Sequence, residues 1–334
     1  MIHLPFRAYG QEQWLPACYN RGEVMNVYSL NDRILGCLIG AGAGDAMGAA
    51  TESRTTEQIL QYFGHKVTDF EVTPMDTFAK GNQPGQATDD FSSAYFITRH
   101  IIDHDGEITS EVVKEALIDW SEHPIFFDRF AGPTTRMAIR RYKGAEIPES
   151  DAIQLLPRQA TNGAAMKIAP IGLFNPGNVD QAIYDAAVVT MVTHDNYLAI
   201  SGGSAVAAAV AEAITPDADV YSIIQAGIYG AKEGARIGRE IGRDVAGPSV
   251  VKRIEMAVDI GLGKGTQEEK MVEIAERIGM GLHVAEAIPS AFGFFAAGSG
   301  NPMDAIIGAV NAGYDTDTVA TMAGAMAGAP ARTS

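Results

Sequence analysis

The sequence predicts an all-α protein built as a single compact multi-helix domain, and three observations lead to that class. Ala-rich runs with helical spacing fill most of the chain from residue 30 onward. Period-two runs of Val, Ile and Thr are scarce, with Val67–Thr73 the main exception. No low-complexity linker divides the 334 residues, a length that can bury a sizeable core. Residues 1–29 read as an N-terminal extension, with Pro, Gly and polar residues but no clear period, and 30–334 as the domain.

The first helix is expected to begin at Asn31–Asp32, where either side chain can cap free N–H groups. Gly36, Gly40, Gly44 and Gly48 recur within it every four residues, so all four share one face. Glycine costs about 1 kcal/mol per helical position relative to alanine, and a stripe of it calls for another helix in close approach. Asp45 lies inside this apolar segment, where an unpaired charge is costly; it is expected to be a hydrogen-bond acceptor supporting the site, with an exposed face as the alternative. A second helical run follows Thr88-Asp89-Asp90 through Ser93, Tyr95, Ile97 and Ile101. Further helices are expected at Ser110–Ser121, Asn178–Val192, Leu198–Ile214, Val220–Arg243, Ser249–Ile260, Gln267–Ile278, His283–Ala297, Met303–Ala312 and Thr318–Ala327. The Gly/Ala segments beginning near Ile34, Leu198 and Val319 are alike in composition, which points to shared helix-packing chemistry.

Composition excludes several function classes. The 41 Asp and Glu outnumber the 25 Lys and Arg for a net charge of −16, which argues against nucleic acid or anionic lipid as a partner. A 46% hydrophobic share is too high for a disordered chain. Two cysteines, Cys18 and Cys37, make neither a disulfide framework nor a thiolate metal site. The N-terminus lacks a secretory pattern, and the most membrane-like stretch, Ile34–Ala50, is short, glycine-laden and interrupted by Asp45; a cytoplasmic protein without a membrane partner is expected. Gly40-Ala41-Gly42-Ala43-Gly44 lacks the spacing of a dinucleotide loop, and Gly263-Lys264-Gly265 lacks the Ser or Thr of a phosphate loop. No nucleophile elbow, paired-histidine zinc motif or Cys pair is evident.

The chemistry concentrates in Gly85-Gln86-Ala87-Thr88-Asp89-Asp90 and Asn311-Ala312-Gly313-Tyr314-Asp315-Thr316-Asp317-Thr318. Each places a glycine-containing loop and clustered Asp and Thr oxygens at the start of a helix. Alone, either segment reads as a helix cap, since such oxygens satisfy orphan N–H groups and suit the positive dipole end. Together, four aspartates exceed what two caps need. Hard cations such as Mg²⁺ or Mn²⁺ take carboxylate and hydroxyl oxygens. If the two helix starts meet, their carboxylates repel unless cations lie between them, and a pair of ions roughly 3.5–4 Å apart can polarise an oxygen and activate water.

These segments, with Gly44-Asp45-Ala46-Met47-Gly48 and Glu52, Asn162-Gly163-Ala164-Ala165-Met166, Thr193-His194 and Glu286-Ala287-Ile288-Pro289-Ser290-Ala291, resemble the ADP-ribosylglycohydrolase family. They stand in the family's order and span roughly Asp32 to Ala329. The family includes the enzyme that reactivates ADP-ribosylated dinitrogenase reductase. The resemblance implies an all-helical fold with a dimetal centre between helix N-termini. It places two Mg²⁺ or Mn²⁺ ions on Thr88, Asp89, Asp90, Asp315, Asp317 and Thr318. The implied reaction is hydrolysis of the bond from C1″ of ADP-ribose to an acceptor, such as arginine nitrogen or serine oxygen, releasing ADP-ribose. The catalytic candidates are Asp89, Asp317 and Glu52, with Glu52 either positioning or transferring a proton. Asn162, Gly163, Ala164 and His194 are the candidate contacts to ADP-ribose; the residues alone leave an ordinary Asn-Gly turn and a structural histidine equally open.

Two other readings stand beside this one: a hydrolase of another small ribosyl compound or nucleoside, and a non-catalytic binding or structural member of the family. The chain also departs from the family's pattern. Tyr314 stands where many relatives have a second glycine, and Phe91 where a small or polar residue is commoner. Phe91, Tyr95 and Tyr314 are stacking or core candidates. Asp128 lies where relatives carry an acidic substrate loop, but the spacing differs and no catalytic role is carried onto it. Ending at Ser334, the chain is expected to be short at its C-terminus.

Overall fold

A helix that is apolar on every side belongs in the interior, and three such helices form the centre of the computed structural model, which describes residues 29–148 and 160–329. In chain order the helices are α1 (Leu30–Gly48), α2 (Thr56–Phe63), α3 (Asp89–Asp103), α4 (Ser110–Ser121), α5 (Pro124–Phe130) and α6 (Pro133–Tyr142). There follow a 3₁₀ turn (Asn162–Ala164), α7 (Ala169–Leu173), α8 (Val179–Met191), α9 (Tyr197–Ala213), α10 (Val220–Ile241) and α11 (Val250–Leu262). The last are α12 (Gln267–Arg277), α13 (Val284–Ala297), α14 (Pro302–Ala312) and α15 (Thr316–Gly328). Helices α9, α13 and α15 are buried almost throughout, and the amphipathic α8, α10, α11 and α14 pack around them. The class is all-helical in one domain, as expected; among the described residues there is no strand, only isolated bridges. The expected N-terminal extension lies, except for Ser29, outside the described residues, as does Cys18.

The nine helices expected from Ser110 onward all form, each within two residues of its expected ends. Helix α1 starts earlier than Asn31–Asp32. Ser29 is its cap, in a reciprocal box where the Asp32 carboxylate accepts the Ser29 N–H at 2.9 Å. Helices α2, α5, α6 and α7 were not foreseen; at five to ten residues they are too short to show a period in sequence. The alternating run Val67–Thr73 is irregular backbone rather than a strand. The Asn311 side chain takes the place of a β-partner there: its Oδ1 accepts the Val67 N–H at 2.9 Å and its Nδ2 donates to the Val67 carbonyl at 2.8 Å.

The glycine stripe of α1 has a partner, and it is α15. A Cβ on Gly40 would lie 2.1 Å from the Gly324 carbonyl oxygen, one on Gly44 2.2 Å from that of Ala320, and one on Gly48 2.4 Å from Cα of Asp317. The contact is reciprocal, since a Cβ on Gly324 would meet the Gly40 oxygen and one on Gly328 the Gly36 oxygen. Two backbones therefore touch along the whole seam, which holds the end of α1 against the start of α15. A second seam joins α9 and α10 through Gly230, Gly234 and Gly238.

Candidate metal centre

Three chain segments converge where α1 ends and where α3 and α15 begin. Asp45 sits in the last turn of α1, the end where a helix dipole disfavours negative charge. Its carboxylate is satisfied by the opposite end of another helix. It accepts the Thr88 N–H at 2.9 Å, the Phe91 N–H at 3.0 Å and the Thr88 hydroxyl at 2.6 Å, all at the N-terminus of α3. The expected hydrogen-bond role of Asp45 is thus found, and it locks α1 to α3. At the start of α15, Thr316 donates to the Gly48 carbonyl at 2.9 Å and accepts from Thr51 at 2.9 Å, tying α15 to the turn after α1.

That turn is fastened a second time. Ser53 donates its N–H to the Tyr314 carbonyl at 2.7 Å, and Tyr314 donates to the Arg54 carbonyl at 2.8 Å, forming a short antiparallel pair. Ser53 and Tyr314 both have left-handed backbone, with φ of 64° and 67°. This explains why glycine suits the position before Asp315. The pairing brings Glu52 over the start of α15.

Two groups of carboxylates result. Oxygens of Asp45, Asp90 and Asp317 lie within 4.8 Å of one another, and so do oxygens of Glu52, Asp315 and Asp317. Asp317 belongs to both. Asp90 and Asp317 are buried, and burial followed by neighbouring negative charge holds both carboxyls well above the usual range. Burial pushes Asp45 up to about 6 against its hydrogen bonds, and raises Asp315 as well. Burial and then the Asp45 charge push Asp89 up to about 7. Burial and then the charges of Asp315, Asp89 and Asp45 push Glu52 up to about 8. Carboxyls this close hold protons unless a cation shares the space.

The donor chemistry fits hard divalent cations, for every group in the two clusters offers oxygen. The Thr318 hydroxyl donates to Asp90 at 3.1 Å, and that of Thr88 donates to Asp45. A hydroxyl that gives its hydrogen to a carboxylate keeps lone pairs for a cation. Of the six expected metal-binding residues, Asp90, Asp315 and Asp317 thus fall in the clusters, and Thr88 and Thr318 bond to them. Asp89 stands beside the clusters, half-buried.

Of the residues expected to face ADP-ribose, Asn162 touches the acidic clusters directly. Asn162 is buried, and its side-chain amide donates to Asp315 Oδ2. Ala164 is fully buried in the same turn. His194 is buried with both ring nitrogens engaged, Nδ1 with the Thr193 hydroxyl at 2.7 Å and Nε2 with that of Thr161 at 2.9 Å. Burial, then the charge of Lys167, holds its pKa well below the ordinary value, so this imidazole is a neutral strut between two loops. Gly163 is half-buried and packs beside that ring. Phe91 packs over Gly42, while Tyr95 and Tyr314 stand exposed. Asp128 lies on α5, exposed.

Lys167 is a buried cation beside the clusters that the sequence did not single out. It is buried, its ammonium donates to the Gly163 carbonyl, and it lies in the field of Asp89 and Asp90. Burial pushes its pKa down to about 8, with the two aspartates opposing. The available signal was a lone charge inside the apolar run Ala164–Leu173. A cavity of about 510 Å³ is lined by Ser53, Arg54, Gln58, Gln61, Tyr62 and Asp76.

A sequence profile of the ADP-ribosylglycohydrolase family matches residues 26–331. The chain belongs to that family. An uncharacterised protein of Escherichia coli K12, YegU, is 28% identical over 312 residues, covering 89% of this chain and 87% of its own. The ADP-ribosyl-[dinitrogen reductase] glycohydrolase of Rhodospirillum rubrum is 29% identical over 155 residues, covering 45% of this chain and 47% of its own. In fold, the chain is similar to the solved structure of an ADP-ribosylglycohydrolase-related protein complex. The TM-score is 0.64 at 22% identity, covering 90% of this chain and 88% of that one. Among the described residues, no helix is long and apolar enough to cross a membrane.

Proposed function

We propose that the protein is a metal-dependent hydrolase that cleaves the C1″ ribosyl bond of ADP-ribosylated substrates and releases ADP-ribose. The observation that carries this reading is Asp317, whose carboxylate belongs to both buried acidic clusters. One carboxylate shared by two oxygen-rich groups suits two cations side by side. Bound there, two Mg²⁺ or Mn²⁺ ions would supply the charge that orients sugar hydroxyls and activates water. Asp90, Asp315 and Asp317, with the hydroxyls of Thr88 and Thr318, are the residues that would hold them. Glu52 is half-buried, so its carboxylate is the group best placed to take or hold a proton at the solvent side. Asp89, also half-buried, would stabilise the positive charge that develops at C1″. The name of the R. rubrum relative supports ADP-ribose as the sugar.

The test is release of free ADP-ribose from ADP-ribosyl-arginine and ADP-ribosyl-serine peptides, with plain nucleosides as a parallel arm, in Mg²⁺ or Mn²⁺. Turnover of the peptides alone is expected. Asp317→Asn, with its circular dichroism unchanged, is expected to lose about 100-fold or more. Equal turnover by this variant would remove the assignment. Turnover of nucleosides alone would move the chain to the small-ribosyl-compound reading, and no metal uptake in calorimetry to the non-catalytic one.

A further inference from the structure

Helix α3 ends as chemically distinctly as it begins. His100 and His104 stand one turn apart at its C-terminal end, and Glu115 and Asp119 one turn apart on the antiparallel α4. His104 Nε2 lies 3.3 Å from Glu115 Oε2, and His100 Nε2 lies 3.0 Å from Asp119 Oδ2. Ring nitrogens of both histidines and a Glu115 oxygen all fall within 4.8 Å of one another. Four donor atoms at the bonding distances of zinc, about 2.0–2.2 Å, stand roughly 3.3–3.5 Å apart around a tetrahedral ion. The His104–Glu115 separation is already of that size.

Each imidazole is also held by a neighbouring group. His104 Nδ1 is bonded to the His100 carbonyl at 2.8 Å, which turns Nε2 toward Glu115. A backbone carbonyl or a carboxylate on the second ring nitrogen is how metal-binding histidines are oriented. The scaffold beneath is a buried apolar layer. Ile97, Ile101, Val113, Leu117 and Trp120 are buried between the two helices, and Trp120 Nε1 donates to Ser92 at 3.0 Å. The His-x3-His spacing lacks the Glu that a metalloprotease motif places after its first histidine, so it does not stand out in the sequence.

We propose that the α3–α4 hairpin is a second metal site, in which His100, His104 and Glu115 bind a divalent transition metal of the zinc class and Asp119 orients His100. Imidazole with carboxylate selects such ions, whereas Mg²⁺ and Mn²⁺ favour the all-oxygen centre at the other end of α3. The site joins two helices, so its occupancy is expected to stabilise the fold. It does not depend on the proposed hydrolase reaction.

Untagged full-length protein, stripped with a chelator and then kept in saturating Mg²⁺, is titrated with Zn²⁺ by calorimetry and melted with and without it. Wild type is expected to take up one equivalent and to melt several degrees higher. His100→Asn/His104→Asn is expected to lose that equivalent or bind at least 100-fold more weakly, while melting like wild type in chelator. Should the double variant fold poorly, Glu115→Gln, at an exposed position, is expected to weaken uptake at least 10-fold. Asp317→Asn is expected to retain the zinc equivalent. Equal uptake by wild type and the histidine variant overturns the proposal, and so does loss of uptake in Asp317→Asn, which would put the ion in the acidic centre. Failure to release ADP-ribose leaves both results readable, because neither measures turnover.

Discussion

The two ends of α3 gather carboxylates in opposite ways. At its N-terminus, Asp89 and Asp90 join Asp45, Glu52, Asp315 and Asp317, and Lys167 is the cation set against them. At its C-terminus, Glu115 and Asp119 are partly exposed and each faces an imidazole. Both arrangements suit the helix dipole, with acids at the positive end and histidines at the negative end. They differ in what a proton does. Burial drives protons onto the inner carboxyls, whereas at the outer end the His100 hydrogen bond is the largest cause holding Asp119 below the ordinary range. The same residue type is crowded among like charges in one place and faces an imidazole in the other. Burial and the identity of the facing group decide which.

The sharpest way to break this contrast is to separate the helices that build the inner end. A Cβ on Gly44 would lie 2.2 Å from the Ala320 carbonyl oxygen, a backbone atom with no freedom to turn aside. Gly44→Ala is expected to lower unfolding free energy by about 3 kcal/mol in a denaturant titration, the upper range for overpacking. It should also abolish stabilisation by Mg²⁺, since α1 and α15 carry Asp45 and Asp317. Stabilisation by Mg²⁺ equal to that of wild type would mean that the seam does not build the centre.

The pH dependence sharpens the contrast with a smaller effect. Asp45, Asp89 and Glu52 have folded-state values of about 6, 7 and 8 against ordinary values of 3.8, 3.8 and 4.5. A raised carboxyl contributes stability that is complete below its unfolded value and lost as pH rises through the folded one. The chelator-treated protein is therefore expected to melt at progressively lower temperature from pH 5 to pH 8.5, and Mg²⁺ to abolish most of that fall. Asp119 has the opposite sign, with stability present above its unfolded value and lost as pH drops, though its exposure keeps the effect small. A metal-free melting temperature that holds level or climbs toward pH 8.5 would show the inner carboxyls to be paired already.

The inner end was more legible in sequence than the outer one, for physical reasons. Asp and Thr crowded at two helix starts exceed capping needs, and that excess is visible without coordinates. What the sequence hides is long-range pairing. Asp45 and Thr88 are 43 positions apart, and nothing in either segment says that one caps the other's helix. The stripe Gly36–Gly48 predicted a close neighbour but not which helix supplied it. Hidden too is that His194 sits between two threonines and that Asn162 reaches Asp315, because a buried polar group takes the nearest partner. The helices too short for periodicity, α2 and α5 to α7, were invisible for a different reason: tertiary packing holds them.

The smallest expected effect tests the rim of the centre, where strain and exposure coincide. Tyr314 keeps an aromatic side chain at φ of 67°, a conformation that costs a bulky residue about 1–2 kcal/mol, and the residue remains 55% exposed. The ring lies over Gly281, where a Cβ would come within 2.7 Å of Cε1. Its backbone is held by Ser53 and Arg54, so a glycine could make the same two hydrogen bonds. Strain retained beside the acidic clusters motivates a test of the ring itself. Tyr314→Gly is expected to change stability by no more than about 1 kcal/mol, the relief of strain being offset by the extra freedom of glycine in the unfolded chain. The KM for an ADP-ribosylated peptide should rise several-fold with kcat nearly constant, and Tyr314→Phe should restore it. A variant with unaltered KM would leave the ring as a spacer over Gly281, and the inner end of α3 would then owe its selectivity to the oxygen ligands alone.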